Sequence, residues 1–109
     1  MIDSIVFDRL DDMVNGLNRF MKVKKPLNVK TPYGKMLIIK KLDENKINIT
    51  QLFDNIPVAE PEIIITVDLS NNRVVPVSYR NGISYQVVKS HKIYNQILIE
   101  LNKILLSFI

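Results

Sequence analysis

Residues 62–89 hold three short stretches of alternating apolar residues separated by turn residues, and this pattern limits the fold more than any other feature. The apolar residues on one face of the first stretch are Ile63, Ile65, Val67 and Leu69, and those on the matching face of the next two are Val75, Val77, Tyr79, Ile83, Tyr85 and Val87. A period of two with many β-branched residues is typical of strands that are buried on one face. The pattern therefore predicts three antiparallel strands at the centre of the fold.

The connection between the second and third of these strands decides which side chains share a face. A three-residue loop of residues 80–82, with Gly82 in the left-handed conformation, keeps Tyr79 and Ile83 together on the buried face. A two-residue Asn81-Gly82 turn would instead divide the apolar residues between both faces. We therefore predict the three-residue loop, and an exposed face that carries Thr66, Asp68, Ser78, Arg80, Ser84 and Gln86.

The connection between the first and second strands follows the same reasoning. A three-residue loop of residues 70–72 places Leu69 opposite Arg73 and gives Asn72 the left-handed conformation. Pro76 does not fit a regular inner strand, because it has no N–H to donate to a neighbouring strand. We therefore expect either a β-bulge at Pro76 or an unusual strand order around it.

Two further strands are predicted upstream, at residues 35–42 and 46–53, by the same alternation. Residues 43–45 supply the turn between them. Residues 54–61 contain two prolines and are predicted to lack regular structure. This connection is either a loop that contacts a partner or simply the crossover to the next strand.

The length and composition exclude several kinds of protein. At 109 residues, 47% hydrophobic and 24% charged, the chain is predicted to form a single domain over residues 1–109. It has no cysteine and one histidine, His91, which excludes disulfides, thiolate nucleophiles and cysteine or multi-histidine metal sites, and we expect no cofactor. No apolar run approaches the roughly 18 residues that span a bilayer, and the N-terminus does not resemble a signal peptide, so we expect a cytoplasmic protein.

The first 21 residues predict one amphipathic helix, because their apolar positions follow a period of 3.6. Asp3 or Ser4 is predicted to cap it. Gly16 costs about 1 kcal/mol relative to alanine and suggests close backbone packing or a slight bend. The opposite side carries three acids, Asp8, Asp11 and Asp12. These are either a divalent-cation site or a solvated acidic face, and we favour the second because a hard cation needs more oxygen ligands than one helix face supplies.

Positive charge is concentrated in residues 22–46, where the net charge is +6, against −2 for residues 1–21 and 0 for residues 47–109. A turn at residues 31–34 presents Tyr33 at its tip. The candidate binding residues in this basic segment are Lys22, Lys24, Lys25, Tyr33 and Lys35. They form either a nonspecific phosphate-binding surface with Tyr33 for stacking, or lysines that keep an exposed sheet edge soluble, which we favour.

Residues 90–109 predict a second amphipathic helix with Ser90 as its cap. Its main apolar stripe consists of Ile93, Tyr94, Ile97, Leu101, Ile104, Leu105 and Phe108. Ile99 and Leu106 lie about 180° from this stripe at 100° per residue, which makes them candidate contacts of a homodimer. Alternatively, another element wraps them or they are ordinary scattered surface residues. His91, beside the cap, is predicted to be a surface residue.

Several short motifs in the middle of the chain resemble a known family. They are Met36-Leu37-Ile38-Ile39, Ile47-Asn48-Ile49-Thr50, Glu60-Pro61-Glu62-Ile63, Pro76-Val77-Ser78-Tyr79-Arg80-Asn81 and Tyr85-Gln86-Val87-Val88. Together they cover roughly residues 35–88 and resemble a family of small uncharacterised proteins of phages, plasmids and conjugative elements. The resemblance implies a mobile-element setting and supplies no catalytic residues.

Together these patterns predict an α+β fold: an N-terminal helix, about five mostly antiparallel strands in a meander-like sheet, and a C-terminal helix, with both helices on one face of the sheet. On the exposed face, Arg80 and Gln86 join the candidate binding residues. Since the sequence offers no chemical site, we expect a non-enzymatic accessory protein that acts by contact with a protein partner or with itself. The alternative is nonspecific nucleic-acid binding through residues 22–46.

Overall fold

The computed structural model describes residues 1–53 and 61–109, so most of the predicted connection at residues 54–61 lies outside the described residues. The elements are α1 (Ile2–Met13), α2 (Leu17–Phe20), β1 (Leu27–Lys30), β2 (Lys35–Lys41), β3 (Lys46–Phe53), β4 (Glu62–Asp68), β5 (Arg73–Asn81), β6 (Ser84–Val87) and α3 (His91–Leu106). The six strands form one antiparallel sheet whose order is that of the chain. The α+β class and the meander are confirmed. The short edge strand β1 is additional to the five predicted strands.

One cluster of buried side chains joins α1 and α3 to the sheet. Its strand members are Leu37, Ile39, Ile47, Ile49, Ile63, Ile65, Val67 and Val74. Directly paired residues point to the same side of a sheet, and pairs such as Ile39–Ile49 and Ile49–Ile63 place all these members on one side, the core face. Both helices contact β5 and each other. These contacts agree with helices on one face of the sheet, which stays a prediction.

The N-terminal helix is confirmed, but it ends at Met13 and does not continue to Met21, because the chain turns sharply at Asn15 and Gly16. Both have positive φ, 58° and 106°, a conformation that a helix does not contain. The Gly16 N–H donates to the Asp11 carbonyl and the Asn15 N–H donates to the Asp12 carbonyl, the two bonds of a Schellman motif. The Asp11 carboxylate then accepts the Leu17 N–H at 2.6 Å and starts α2. Gly16 is therefore a helix end, with neither the close packing nor the slight bend expected of it.

The start of α1 also differs from the expectation. The helix begins at Ile2, with no side chain capping it, so neither Asp3 nor Ser4 is the cap. The Asp3 carboxylate instead accepts the Ser4 N–H at 2.9 Å and the Tyr94 hydroxyl at 3.4 Å, which ties α1 to the first turn of α3. Burial and the nearby Asp3 carboxylate raise the pKa of Tyr94.

The pairing of β4 with β5 contains the expected β-bulge. Ile63 lies opposite Tyr79, which is the predicted register. The register shifts by one between Ile64 and Ile65, where β5 has an extra residue, so that Val67 lies opposite Val74. The strand order itself is regular. The sheet therefore accommodates Pro76 by a bulge in β5 and not by a change of strand order.

The bulge also changes which residues of β5 are buried. Val74 and Pro76 are buried, whereas Val75 and Val77, which were predicted to face inward, are only half-buried. Strand β6 pairs with Ser78 to Asn81 only, so β6 does not pair with the half of β5 that contains Pro76. Pro76 therefore lies where β5 is paired on one side only, a position in which a proline is less disruptive than in an inner strand.

The turn that joins β4 and β5 has four residues, 69–72, instead of the predicted three, and Asp68 lies opposite Arg73. Asn72 has φ of 50°, as predicted. The Asp68 carboxylate accepts the Asn71 side-chain N–H at 2.8 Å and the Arg73 Nε–H at 3.4 Å. The hydrogen bond from the Asn71 side chain, together with that from Arg73, lowers the pKa of Asp68.

The turn between β5 and β6 is also shorter than predicted. It consists of Gly82 and Ile83 between the paired Asn81 and Ser84. Gly82 has φ of 64° and Ile83 does not have positive φ, which is the arrangement of a type II′ turn with glycine first. Gly82 is left-handed as expected, but the three-residue loop is wrong. Tyr85 and Val87, predicted to be buried, are exposed.

Helix α3 matches the prediction closely. The Ser90 hydroxyl accepts the Ile93 N–H at 3.3 Å, which confirms the cap. The buried residues of the helix are Ile97, Leu98, Leu101, Ile104 and Leu105, all of which except Leu98 belong to the predicted stripe.

Substitution of Gly16 by alanine should change the stability of the protein in opposite directions in a helix end and in a continuous helix. In a continuous helix the substitution would stabilise the protein by about 1 kcal/mol. At φ of 106° an L-residue is strained, and we expect a destabilisation of about 1–3 kcal/mol, measured by urea unfolding. No atom lies within 4 Å of the added Cβ, so this effect is purely one of the backbone. Asn15→Gly, at φ of 58°, is the control and should change stability by less than about 1 kcal/mol. A Gly16→Ala variant that is more stable than the parent would contradict the end of the helix at this position.

Candidate interaction surfaces

The basic segment does not form one continuous surface. Lys22, Lys24 and Lys25 are exposed in the connection between α2 and β1, immediately before the edge strand. Lys24 lines a shallow cleft with Lys41, Leu42, Asp43 and Glu44, so carboxylates lie near it. Tyr33 is 91% exposed at the tip of the turn that joins β1 and β2.

Lys35 lies apart from the other candidate lysines. It is half-buried on the core face, two residues from the buried Leu37, and its Nζ lies 5.1 Å from the centre of the Phe108 ring. Such a contact stabilises a cation over an aromatic face. The register places Lys40 on the opposite face, across from Asn48. The charge of this segment is therefore divided between both sides of the sheet.

Arg80 and Gln86 were predicted to share a face, and the structure separates them. Arg80 lies opposite Glu62 on one side and Tyr85 on the other, on the face away from the core, and its guanidinium is 5.2 Å from the Tyr85 ring centre. Gln86 lies opposite Tyr79, on the core face. The shorter turn at Gly82 shifts β6 relative to β5 and causes this difference. Glycine as the first residue of a two-residue turn is the signal that would have shown it.

Gln86 takes part in a small cleft between β5, β6 and α3. The cleft has a volume of about 200 Å³ and is lined by Tyr79, Gln86, Gln96, Ile97 and Glu100. The Asn81 side-chain N–H donates to the Tyr79 hydroxyl at 3.3 Å. Burial and the Glu100 carboxylate raise the pKa of Tyr79. The cleft therefore offers hydrogen-bonding groups, with a neutral phenol, and is smaller than a typical small-molecule site.

The outer face of α3 carries the two predicted contact residues. Ile99 is 47% exposed and Leu106 is 45% exposed, while the opposite side of the helix is buried. Lys103 is exposed and lies between them, three residues from one and four from the other, which puts all three on the same face. We call Ile99, Lys103 and Leu106 the outer face of α3.

The edge strand β6 is a surface that the sequence did not indicate. All four of its residues are exposed, and Tyr85 and Val87 retain 55% and 43% of their accessible surface. Ile83, in the adjoining turn, is fully exposed. These side chains were predicted to be buried, because the expected loop put them on the core face. We call residues 83–87 the β6 edge.

The three N-terminal acids are not gathered into one cluster of side chains. Asp8 and Asp12 are exposed, and the Asp11 carboxylate accepts the Leu17 N–H. Among residues 1–53 and 61–109, no group of three or more histidine, cysteine, aspartate or glutamate side chains could hold a metal ion. His91 is exposed, with its ring centre 6.0 Å from that of Tyr94.

Comparisons with known proteins found no matching family model, no matching curated protein and no matching solved structure. The resemblance to proteins of mobile elements therefore stays a prediction. In the part of the chain that the structure describes, no helix is both long and apolar enough to cross a membrane.

Proposed function

We propose that this chain is a small non-enzymatic accessory protein that acts by protein–protein contact, and that it forms a homodimer through the outer face of α3. The exposure of Ile99 and Leu106, on a helix whose other side is buried in the core, supports this proposal most directly. The setting implied by the sequence resemblance is a mobile genetic element.

The spacing of the two residues suits a two-fold contact between antiparallel copies of α3. They are seven residues apart, two helical turns, so Ile99 of one copy meets Leu106 of the other and the reverse. Half-burial of four such side chains yields roughly 3–6 kcal/mol, since full burial of one is worth about 1.5–3 kcal/mol. Association itself costs about 4–15 kcal/mol, so these four side chains alone offset only the lower end of that cost. The dimer therefore also needs contacts from the exposed residues around them on α3, and it is weak, with a Kd above about 1 μM.

The charge on the outer face of α3 gives the dimer a characteristic salt dependence. Lys103 lies near the proposed two-fold axis, so two positive charges approach each other when the dimer forms. Salt screens this repulsion, and we expect association to strengthen as the salt concentration rises.

Sedimentation equilibrium over a wide range of protein concentration tests the dimer. We expect Leu106→Glu to weaken association at least tenfold, because it places two carboxylates in the apolar contact. Leu42→Glu is the matched control, since Leu42 is also 45% exposed but lies beside the turn between β2 and β3. A protein that stays monomeric at millimolar concentration, or two variants that weaken association equally, would contradict the proposal.

The second candidate function is nonspecific binding of nucleic acid through the basic segment. The exposure of Lys22, Lys24 and Lys25 favours it, and Tyr33 at the tip of its turn is accessible to stack on a base. The acids near Lys24 and the position of Lys35 on the core face reduce the continuous positive surface. We therefore place this function second.

Fluorescence anisotropy with short single- and double-stranded oligonucleotides tests the second function. If three lysines contact phosphates of a duplex, affinity should fall about 40-fold between about 50 and about 200 mM salt. Replacing Lys22, Lys24 and Lys25 by serine should remove this dependence. The triple variant of Lys89, Lys92 and Lys103, with the same change in charge, is the control and should bind as the parent does. Absence of binding at the lower salt would reject this function.

A further inference from the structure

The β6 edge presents backbone groups that no described strand pairs with. The Val88 N–H donates to the Val77 carbonyl of β5. Backbone groups alternate in direction along a strand, so those of Gln86 and Ser84 also face β5, whereas those of Tyr85 and Val87 face away from the sheet. Strand β6 is the last in the sheet order, which leaves these outward groups at its edge.

The two edges of the sheet differ in their protection against a further strand. Edge strand β1 follows Lys24, Lys25 and Pro26 and ends at Lys30, and such lysines and prolines discourage pairing with another chain. Residues 81–88, which include β6, contain no charged residue and no proline. Of the two edges of the described sheet, the β6 edge is therefore the one suited to accept a strand.

The side chains around β6 indicate what such a strand would contain. Tyr85 and Val87 lie on the face of the sheet away from the core and are half-exposed, so apolar residues on the matching side of an added strand would cover them. Two exposed cations lie near this stretch: Arg80, whose guanidinium is 5.2 Å from the centre of the Tyr85 ring, and Lys89, which follows Val88. Acidic residues in the added strand would complement these charges.

A second copy of the chain fits this edge less well. Pairing of β6 with itself would place the positive charges of Arg80 and Lys89 from both copies in one interface. A ribbon of four residues from each chain would also bury far less than the roughly 1,200–2,000 Å² of a stable interface. A flexible segment of another protein avoids the first problem and can extend its contact along the face of the sheet.

We propose that the β6 edge binds an extended segment of a partner protein as a seventh strand, and that this segment has alternating apolar residues flanked by acidic ones. Main-chain hydrogen bonds to Tyr85 and Val87 supply affinity, and contacts with their side chains supply selectivity. This binding does not depend on the dimer through α3.

A capped seven-residue peptide of alternating valine and threonine with an aspartate at each end is the probe. Titration into ¹⁵N-labelled protein at about 50 mM salt should shift the amide signals of Tyr85 and Val87 most strongly, and both amides should exchange more slowly with solvent. The same peptide with terminal lysines should bind at least fivefold more weakly. Equal affinity of the two peptides, or unshifted amides at millimolar peptide, would overturn the proposal.

Two substitutions at one position separate backbone pairing from side-chain contact. Val87→Pro removes an outward N–H but none of the bonds to β5, and should weaken peptide binding about fivefold or more. Val87→Thr keeps the N–H and a similar shape, and should bind within twofold of the parent. Equal thermal midpoints establish that both variants fold. Equal peptide affinity of the two variants would overturn strand addition.

Two further outcomes separate this proposal from the α3 dimer. Leu106→Glu should bind the peptide as the parent does, because it changes only the outer face of α3. Shifts of the Tyr85 and Val87 amides that grow with protein concentration in the absence of peptide would identify a second copy as the occupant and overturn the choice of a partner segment.

Discussion

The β-bulge at Val77 is the constraint on which the arrangement of the sheet depends. Strand β4 buries Ile63, Ile65 and Val67 on a single face. A one-residue shift of β4 would turn these three side chains away from the core. Pro76 lies in the strand beside it and cannot donate a ladder hydrogen bond. One extra residue in β5 satisfies both conditions, because it lets Tyr79 and Val74 face the core from either side of the bulge. The exposure of Tyr85 and Val87 has a separate cause, the two-residue turn at Gly82, which shifts β6 relative to β5.

Much of the fold followed from the sequence because the signals were local or periodic. The alternation in β2, β3 and β4 predicted these strands and the inward direction of Ile47 and Ile49. Ser90 and the stripe that follows it predicted α3. The errors arose where two physical rules compete. The apolar residues on both sides of Gly16 keep the helical period, although the positive φ of Gly16 ends the helix. Strand β1 was too short to produce a clear alternation.

The candidate sites were harder to predict, because a change of one residue in register reverses the direction of every later side chain. The sequence placed Gln86 beside Arg80 and buried Tyr85, and both expectations failed together when the turn at Gly82 proved to have two residues. The position of Ile99 and Leu106 opposite the buried stripe needed only the helical period and was predicted correctly. Contacts between distant segments, such as Lys35 with Phe108, leave no signal in a single sequence.

The surfaces lie on different parts of the molecule and are compatible with one another. The outer face of α3, the β6 edge and the basic segment use separate residues, so a homodimer would still present two β6 edges. The register of β5 against β4 decides which side chains of β5 face the core. Nuclear Overhauser effects between backbone protons of β4 and β5 measure this register directly. We predict contacts between Val67 and Val74 together with contacts between Ile63 and Tyr79, whereas contacts between Val67 and Val75 would show an unbroken register and contradict the bulge.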